Sequence, residues 1–109
     1  MNVKEVWEIS SLDKLEGYLF QLELNGRIHT FTSLVILDPK GGVLQVSITN
    51  YPASHGVQVT NRRWLSKLRI DSDSKLEYGK NVDALSGATI SAKNLINGIE
   101  NLRNSLKTK

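Results

Sequence analysis

Apolar and polar residues alternate along the first half of the chain with the two-residue period of β-strands. Residues 17–24 carry an apolar side chain at every second position, and residues 27–37 end in the wholly apolar run 34–37. Residues 43–49 alternate again, with Leu44 predicted to face inward. These segments predict three strands, and the middle one should lie inside the sheet because it is apolar on both faces.

Short turns are predicted between these strands. Asn25-Gly26 is the strongest two-residue hairpin signal available, since both residue types tolerate positive φ. The proline and two glycines of residues 38–42 predict a second reversal. Residues 3–9 suit either a short first strand or an extended arm. Three strands joined in this way form an antiparallel meander with one buried face.

The last part of the chain follows the helical period instead. Residues 61–68 predict a short helix with Trp64 on its apolar side. Thr89 or Ser91 would cap the start of a longer helix. That helix is predicted by apolar residues at or near spacings of three and four: Ala92, Leu95, Ile96, Ile99, Leu102 and Leu106. Packing its apolar stripe on the sheet gives an α+β fold, an antiparallel β-sheet meander against a C-terminal α-helix.

The composition of the chain excludes several classes of function. With 109 residues and 12.2 kDa, the chain suits a single domain over residues 1–109. It has no cysteine, which excludes disulfides, thiolate catalysis and Cys-ligated metal sites. The net charge of +3 is small and its basic residues are scattered, so nucleic acid is not a predicted partner. No stretch has the length to span a membrane, and the N-terminus lacks the apolar core of a signal peptide. The residues leave open a cytoplasmic protein or one whose leader or anchor lies outside this chain.

Residues 83–91 are small and rich in hydroxyl groups, and they open directly into the long predicted helix. Gly87 and Ala88 put almost no side chain in the way of a molecule that approaches the backbone. The free N–H groups and the positive dipole end of the helix favour an anion there, phosphate above all. The Thr89 hydroxyl would lie where a phosphate binds, although helix capping is the alternative on local sequence alone.

The same stretch resembles a known signature. Asp-x-x-Ser-Gly-Ala-Thr at residues 83–89, followed by a helix, is similar to the motif of the FMN-binding domain family. That family includes flavinylated domains of the sodium-pumping NADH:quinone reductase and of the Rnf complex, and the flavoprotein regulator of nitrous-oxide respiration. Residues 51–56 and 62–65 resemble its upstream stretch more loosely, and the likeness covers residues 16–105. The resemblance implies an electron-transport flavoprotein with FMN joined through a phosphoester to Thr89 by a flavin transferase that uses FAD and Mg²⁺.

The resemblance also implies further site residues and partners. Asp83 would belong to the recognition motif of the transferase, or would orient its loop by accepting backbone N–H bonds. Ala53 stands where the family has an acidic residue close to the flavin. Redox partner proteins at a membrane are implied, with the domain carrying electrons rather than acting as an enzyme alone. The cofactor-binding residues implied are Thr89, Ser86, Gly87, Ala88, Asp83, Ser91, Ser54 and Gly56.

The residues alone also allow two other functions. One is a module that binds FMN or another phosphate ligand reversibly at the same helix end. The other is a cofactor-free scaffold within a redox complex, which Ala53 favours. Tyr51 and Trp64 suit stacking on a flavin ring, with core packing as the alternative for Trp64. The basic residues of segment 62–67 suit a phosphate or an acidic partner, with a solvated face as the alternative.

Overall fold

A computed structural model describes residues 2–52 and 56–107. Its strands form one antiparallel sheet in the order β1-β2-β3-β4. A 3-10 helix, the short helix α1 and the long helix α2 follow the sheet. The element bounds are β1 Asn2–Ser11, β2 Lys14–Asn25, β3 Thr30–Leu37, β4 Val43–Asn50, the 3-10 helix Val57–Thr60, α1 Arg62–Ser66 and α2 Thr89–Lys107. The predicted α+β class, with a meander, a short helix and a C-terminal helix, is confirmed.

The core lies between one face of the sheet and α2, which packs against β2. Strand β2 turns Phe20, Leu22 and Leu24 inward, as its alternation predicts. The stripe of α2 that faces them is buried at Ala92, Leu95, Ile96, Ile99 and Leu102. The opposite side of the helix is polar, and no described helix combines the length and apolarity needed to cross a bilayer.

The β2–β3 connection differs from the predicted two-residue hairpin. Asn25 pairs with Thr30, so the loop has four residues, and the Gly26 N–H donates to the His29 carbonyl at 2.8 Å. Neither Asn25 nor Gly26 has a positive φ. A Cβ on Gly26 would lie 3.2 Å from Ser91 Oγ and 2.8 Å from the His29 carbonyl oxygen. The backbone of the loop itself therefore leaves no room for a side chain at Gly26, and Ser91 of α2 limits the space further.

Strand β4 departs from the strict alternation predicted for it. Val43 and Gln45 pair with successive residues of β3, which leaves Leu44 without a partner. Leu44 is 40% exposed, whereas Val43 is buried. An extra residue of this kind changes which face the neighbouring side chains occupy. The prediction that Leu44 faces inward is wrong.

Residues 3–9 form a strand rather than an arm. They belong to β1, which pairs with β2 and forms one edge of the sheet. Leu12 and Asp13 make the turn between the two strands, and both have left-handed φ angles of 50° and 65°. The side chains of β1 are largely exposed, Trp7 included, so this strand adds little to the core.

A buried arginine on α2 ties two loops to the helix. Arg103 is 1% exposed. Its Nε donates to the Gly41 carbonyl at 2.6 Å, and its Nη2 donates to the Asp71 and Ser74 carbonyls at 2.9 and 2.6 Å. Its Nη1 pairs with the Glu100 carboxylate. The sequence pattern gave no sign of this role, because arginine is exposed by default.

Candidate cofactor site

The segment that leads into α2 is fixed by side chains of neighbouring elements. Trp64 Nε1 donates to the Asp83 carbonyl at 2.9 Å, and the Leu85 N–H donates to the Tyr78 hydroxyl at 2.7 Å. Trp64 is buried in the core. The Asp83 carboxylate accepts from Lys67 Nζ at 3.0 Å. No backbone N–H of the described residues donates to that carboxylate, so the expected turn-orienting bonds are replaced by an ion pair with the residue that follows α1.

The first turn of α2 leaves several N–H groups unused. The Ala92 N–H donates to the Ala88 carbonyl at 2.9 Å, so Ala88 holds the N-cap position and neither Thr89 nor Ser91 does. Alanine has no side-chain acceptor. Within residues 2–52 and 56–107, nothing accepts a hydrogen bond from the N–H of Thr89, Ile90 or Ser91. The capping prediction is therefore wrong, and the anion-binding character of the helix end is stronger than a capped start would give.

A cleft of about 170 Å³ opens at this helix end. Three segments meet there: the first turn of α2, the β2–β3 loop and the start of the 3-10 helix. Arg27 is the charged residue among those that line it. The lining residues are Arg27, Gly56, Gly87, Ala88, Thr89, Ile90 and Ser91. The absence of a lining carboxylate and the presence of a guanidinium group suit an anion.

Gly87 allows the loop to turn into the helix. Its φ is +85°, a conformation that other residues adopt with strain. A Cβ there would also lie 2.9 Å from Gln58 Nε2 of the 3-10 helix. Ala88 is buried beside it, whereas Ser86 and Gly87 are exposed. The predicted small residues therefore keep this side of the cleft open.

Ser91 lies on the inner side of the helix. It is 2% exposed, and its hydroxyl forms a 2.8 Å hydrogen bond with the Tyr51 hydroxyl. A Cβ on Gly56 would lie 2.4 Å from that tyrosine oxygen. Tyr51 also packs against Phe31, with ring centroids 5.2 Å apart. The Ser91 hydroxyl is thus engaged inside the protein, while its N–H group remains at the cleft.

Thr89 faces the opposite way. Its side chain is exposed, and its hydroxyl makes a long contact of 3.4 Å to the Leu85 carbonyl. The structure thus gathers Thr89, Ser91, Gly87, Ala88 and Gly56 at one cleft. Ser86 lies in the adjoining loop without lining the cleft, and Asp83 is held at α1.

The remaining predicted residues are placed as follows. Ser54, with its neighbours Ala53 and His55, lies outside the described residues. Arg62 and Arg63 are exposed, and Lys67 pairs with Asp83. Arg27 and Ile90 line the cleft without having been singled out in the sequence. Arg27 carried no local signal, because a hairpin loop brings it to the helix end from a distant part of the chain. Among the described residues no group of His, Asp and Glu has the arrangement of a metal site.

Comparisons with known proteins identify the family and a similar fold. A family model described as the FMN-binding domain matches residues 25–104 of the chain. Among solved structures, NqrC of Shewanella oneidensis is similar, with a TM-score of 0.64 over 95% of this chain at 20% identity. At that identity the likeness shows the fold. The chain spans 61% of the length of that NqrC chain. No curated protein matches the chain.

Proposed function

The chain belongs to the FMN-binding domain family, with FMN as its cofactor, and from this premise we propose that it is an electron-transfer domain that holds FMN through a phosphoester to Thr89. The observation that carries the proposal is the start of α2. There Thr89 exposes a hydroxyl next to N–H groups that lack an acceptor among the described residues. A phosphoester at this position would bring a negative charge to the positive end of the helix.

The residues of the cleft fit a phosphate group. The N–H groups of Thr89, Ile90 and Ser91 supply donors, and Arg27 supplies a positive charge. Gly87 leaves its side of the cleft free of a side chain. Backbone donors of this kind bind a phosphate through its oxygens and place no demand on the rest of the ligand. They would orient the ester and offset its charge.

The size of the cleft favours a covalent link. At about 170 Å³ it is smaller than the ~300–1,000 Å³ usual for pockets that enclose a ligand. Ile90, an apolar side chain that is 48% exposed, lines the cleft. The flavin ring would have apolar surface to rest on but little enclosure. A bond to Thr89 would keep such a weakly enclosed ligand in place.

Attachment would exchange one phosphorus–oxygen bond for another. In the proposed reaction Thr89 Oγ1 attacks the FMN-side phosphorus of FAD, the pyrophosphate bond breaks and AMP leaves. The hydroxyl proton passes to a base of the flavin transferase, and no electrons are transferred. Thr89 is accessible to such an enzyme, since its side chain is exposed and its contact to Leu85 is weak. Ser86 and Asp83 lie on the same exposed loop and are proposed as recognition residues for the transferase.

When bound, FMN supplies reversible uptake of one or two electrons. The protein would contribute the anchoring hydroxyl at Thr89, the N–H donors of the first turn and the exposed apolar side chain of Ile90. Redox partner proteins, membrane-associated as in the family, are proposed to exchange electrons with this domain. On this proposal the chain does not catalyse a reaction by itself.

Denaturation distinguishes the covalent proposal from reversible binding. Protein co-expressed with a flavin transferase is unfolded in guanidinium chloride and desalted in the denaturant. We expect flavin absorbance to elute with the chain. Flavin that elutes separately would contradict the phosphoester and support reversible binding at the same N–H groups. A chain that carries no flavin, from cells in which the transferase modifies a control substrate, would contradict the phosphoester. That result would support a cofactor-free scaffold instead.

A further inference from the structure

The sheet has a second edge, along β4, that is open over most of its length. On its outer side, β4 pairs with another segment of the described chain at the Val43–Ile70 bridge. In that bridge the Val43 N–H donates to the Ile70 carbonyl at 2.7 Å and the Ile70 N–H donates back at 3.2 Å. Beyond it, no segment within 2–52 or 56–107 pairs with residues 44–48. An open strand edge presents a row of N–H and C=O groups that can pair with another chain.

Ser47 shows which backbone groups point to that edge. Its carbonyl accepts a 2.9 Å hydrogen bond from Ser33 Oγ, so it faces β3. Successive residues of an antiparallel strand direct their backbone groups to opposite sides. The N–H and C=O groups of Val46 and Ile48 therefore point outward, and no described residue beyond the sheet bonds to them.

A groove of about 540 Å³ runs beside this edge. One wall is β4, with Leu44, Val46 and Ile48. The other wall is α1 and the turn after it, with Leu65, Arg62 and Arg69. None of the residues that line this groove lines the cleft at Thr89. The groove combines an apolar floor with an open backbone ladder, which are the two features that an added strand needs.

The positive charge of the groove indicates which kind of segment would bind there. Arg62 and Arg69 are exposed, and neither forms an ion pair with a carboxylate of the described residues. No acidic residue is among those that line the groove. We propose that β4 accepts a fifth strand, an extended acidic segment of a partner protein. Its backbone bonds to Val46 and Ile48, and its carboxylates pair with Arg62 and Arg69. The proposal does not depend on FMN attachment to Thr89.

The probe is a capped nine-residue peptide of alternating valine and glutamate. Amide hydrogen exchange is followed by NMR on the whole chain as the peptide is added. We expect the Val46 and Ile48 amides to exchange about tenfold more slowly when the peptide is bound. The double variant Arg62→Glu, Arg69→Glu is expected to bind it about tenfold more weakly. The matched control is Lys14→Glu, Lys40→Glu, which changes the net charge equally at exposed positions outside the groove.

Two further peptides make the test decisive. A valine–lysine peptide and a valine–glutamate peptide with N-methylated backbone are both expected to bind poorly. Equal binding by either would overturn the proposal, since charge or main-chain pairing would then not decide recognition. Absence of binding by the acidic peptide would overturn it as well. A dimer in solution, with Val46 and Ile48 amides protected before any peptide is added, would also overturn it and assign the edge to a second copy of this chain.

Discussion

At the start of α2, two hydroxyl groups only two positions apart have opposite surroundings. Successive residues of an α-helix are rotated by about 100°, so residues two apart point to nearly opposite sides. Thr89 therefore points to solvent, and Ser91 points inward to the Tyr51 hydroxyl. The Ala88 carbonyl begins the helical hydrogen bonds without a side chain that could cap it. The exposed hydroxyl and the uncapped N–H groups thus occur at the same place.

Gly87 gives a residue-scale prediction, with Gly79 as a matched control. The two glycines have φ of +85° and +80°, so alanine at either should destabilise the fold by about 1 kcal/mol. A Cβ at Gly87 meets Gln58 at 2.9 Å beside the cleft, whereas a Cβ at Gly79 has nothing within 4 Å. We expect similar losses in urea unfolding, because the exposed Gln58 side chain can move away, but slower flavin attachment for Gly87→Ala alone. Equal attachment rates in the two variants would contradict this role for Gly87.

At the residue scale, the sequence predicted the place of the cleft better than the contacts around it. Small residues and hydroxyls before an amphipathic stripe predict an anion site at a helix start, and a cleft lies at that position. The burial of Ser91 could not be predicted, because its partner Tyr51 is 40 positions away along the chain. The same holds for Arg27, which reaches the cleft from the β2–β3 loop. Long-range packing decides these contacts, and no local pattern reports it.

At the scale of elements, side chains of α2 hold three loops in place through hydrogen bonds to their backbone carbonyls. Asn94 Nδ2 donates to the Asn25 carbonyl at 2.6 Å, which holds the β2–β3 loop next to the cleft. Near the other end of the helix, Arg103 holds the β3–β4 turn and the loop at 71–74. Helix α2 therefore positions the β2–β3 loop, which contributes Arg27 to the cleft.

Replacing Arg103 tests this attachment. Arg103→Met would leave the Gly41, Asp71 and Ser74 carbonyls without the Arg103 donors, and the Glu100 carboxylate without its cationic partner. We expect a loss of about 3–5 kcal/mol in the free energy of unfolding, measured by urea titration. Arg103→Lys keeps the charge but not the guanidinium fork, so its loss should be intermediate. The control Arg63→Met removes an exposed side chain and should change stability by less than about 0.5 kcal/mol. Equal stability of Arg103→Met and wild type would contradict the role.

The loop at 71–74 gives a pH prediction. The pKa of Asp71 lies below its ordinary 3.8, chiefly because the Ser74 side chain hydrogen-bonds to the carboxylate and despite some desolvation. The backbone N–H groups of Asp73 and Ser74 and the charge of Arg103 lower the pKa further. A carboxylate with a lowered folded-state pKa stabilises the fold above its unfolded pKa, and this contribution is lost as pH falls through the folded value. The stability difference between wild type and Asp71→Asn should be constant above about pH 5 and shrink below about pH 4. Urea unfolding across that pH range measures the stability difference between the two proteins. A difference that does not change with pH would contradict the prediction.

The elements themselves could largely be predicted from periodicity. Alternation identified β2 and the three-to-four spacing identified α2, because one buried face imposes each period, and a wholly apolar run indicated β3. The errors lie where another element sets the geometry. Gly26 lies in a four-residue loop instead of a two-residue hairpin, and both the His29 carbonyl and Ser91 of α2 limit the space around it. The irregularity at Leu44 depends on the register with β3. Neither is encoded within a single segment.

For the whole molecule, we propose that the two recesses serve separate tasks. The cleft at α2 is small, and Arg27 is its charged lining residue; the groove along β4 is larger and borders an open strand edge. The two share no lining residue, so a partner strand could occupy the groove while the cleft holds its ligand. A domain of this size encloses little of a flavin, which makes attachment at Thr89 the central claim.

The mass of the intact denatured protein tests that claim most directly. Wild type, Thr89→Ala and the matched control Thr49→Ala, at an exposed threonine that lines neither recess, are each co-expressed with a flavin transferase. We predict that wild type and Thr49→Ala gain the mass of one FMN less one water, because the Thr89 hydroxyl forms the ester, and that Thr89→Ala gains nothing. FMN mass on Thr89→Ala, or none on wild type while the transferase modifies a control substrate, would contradict the phosphoester at Thr89.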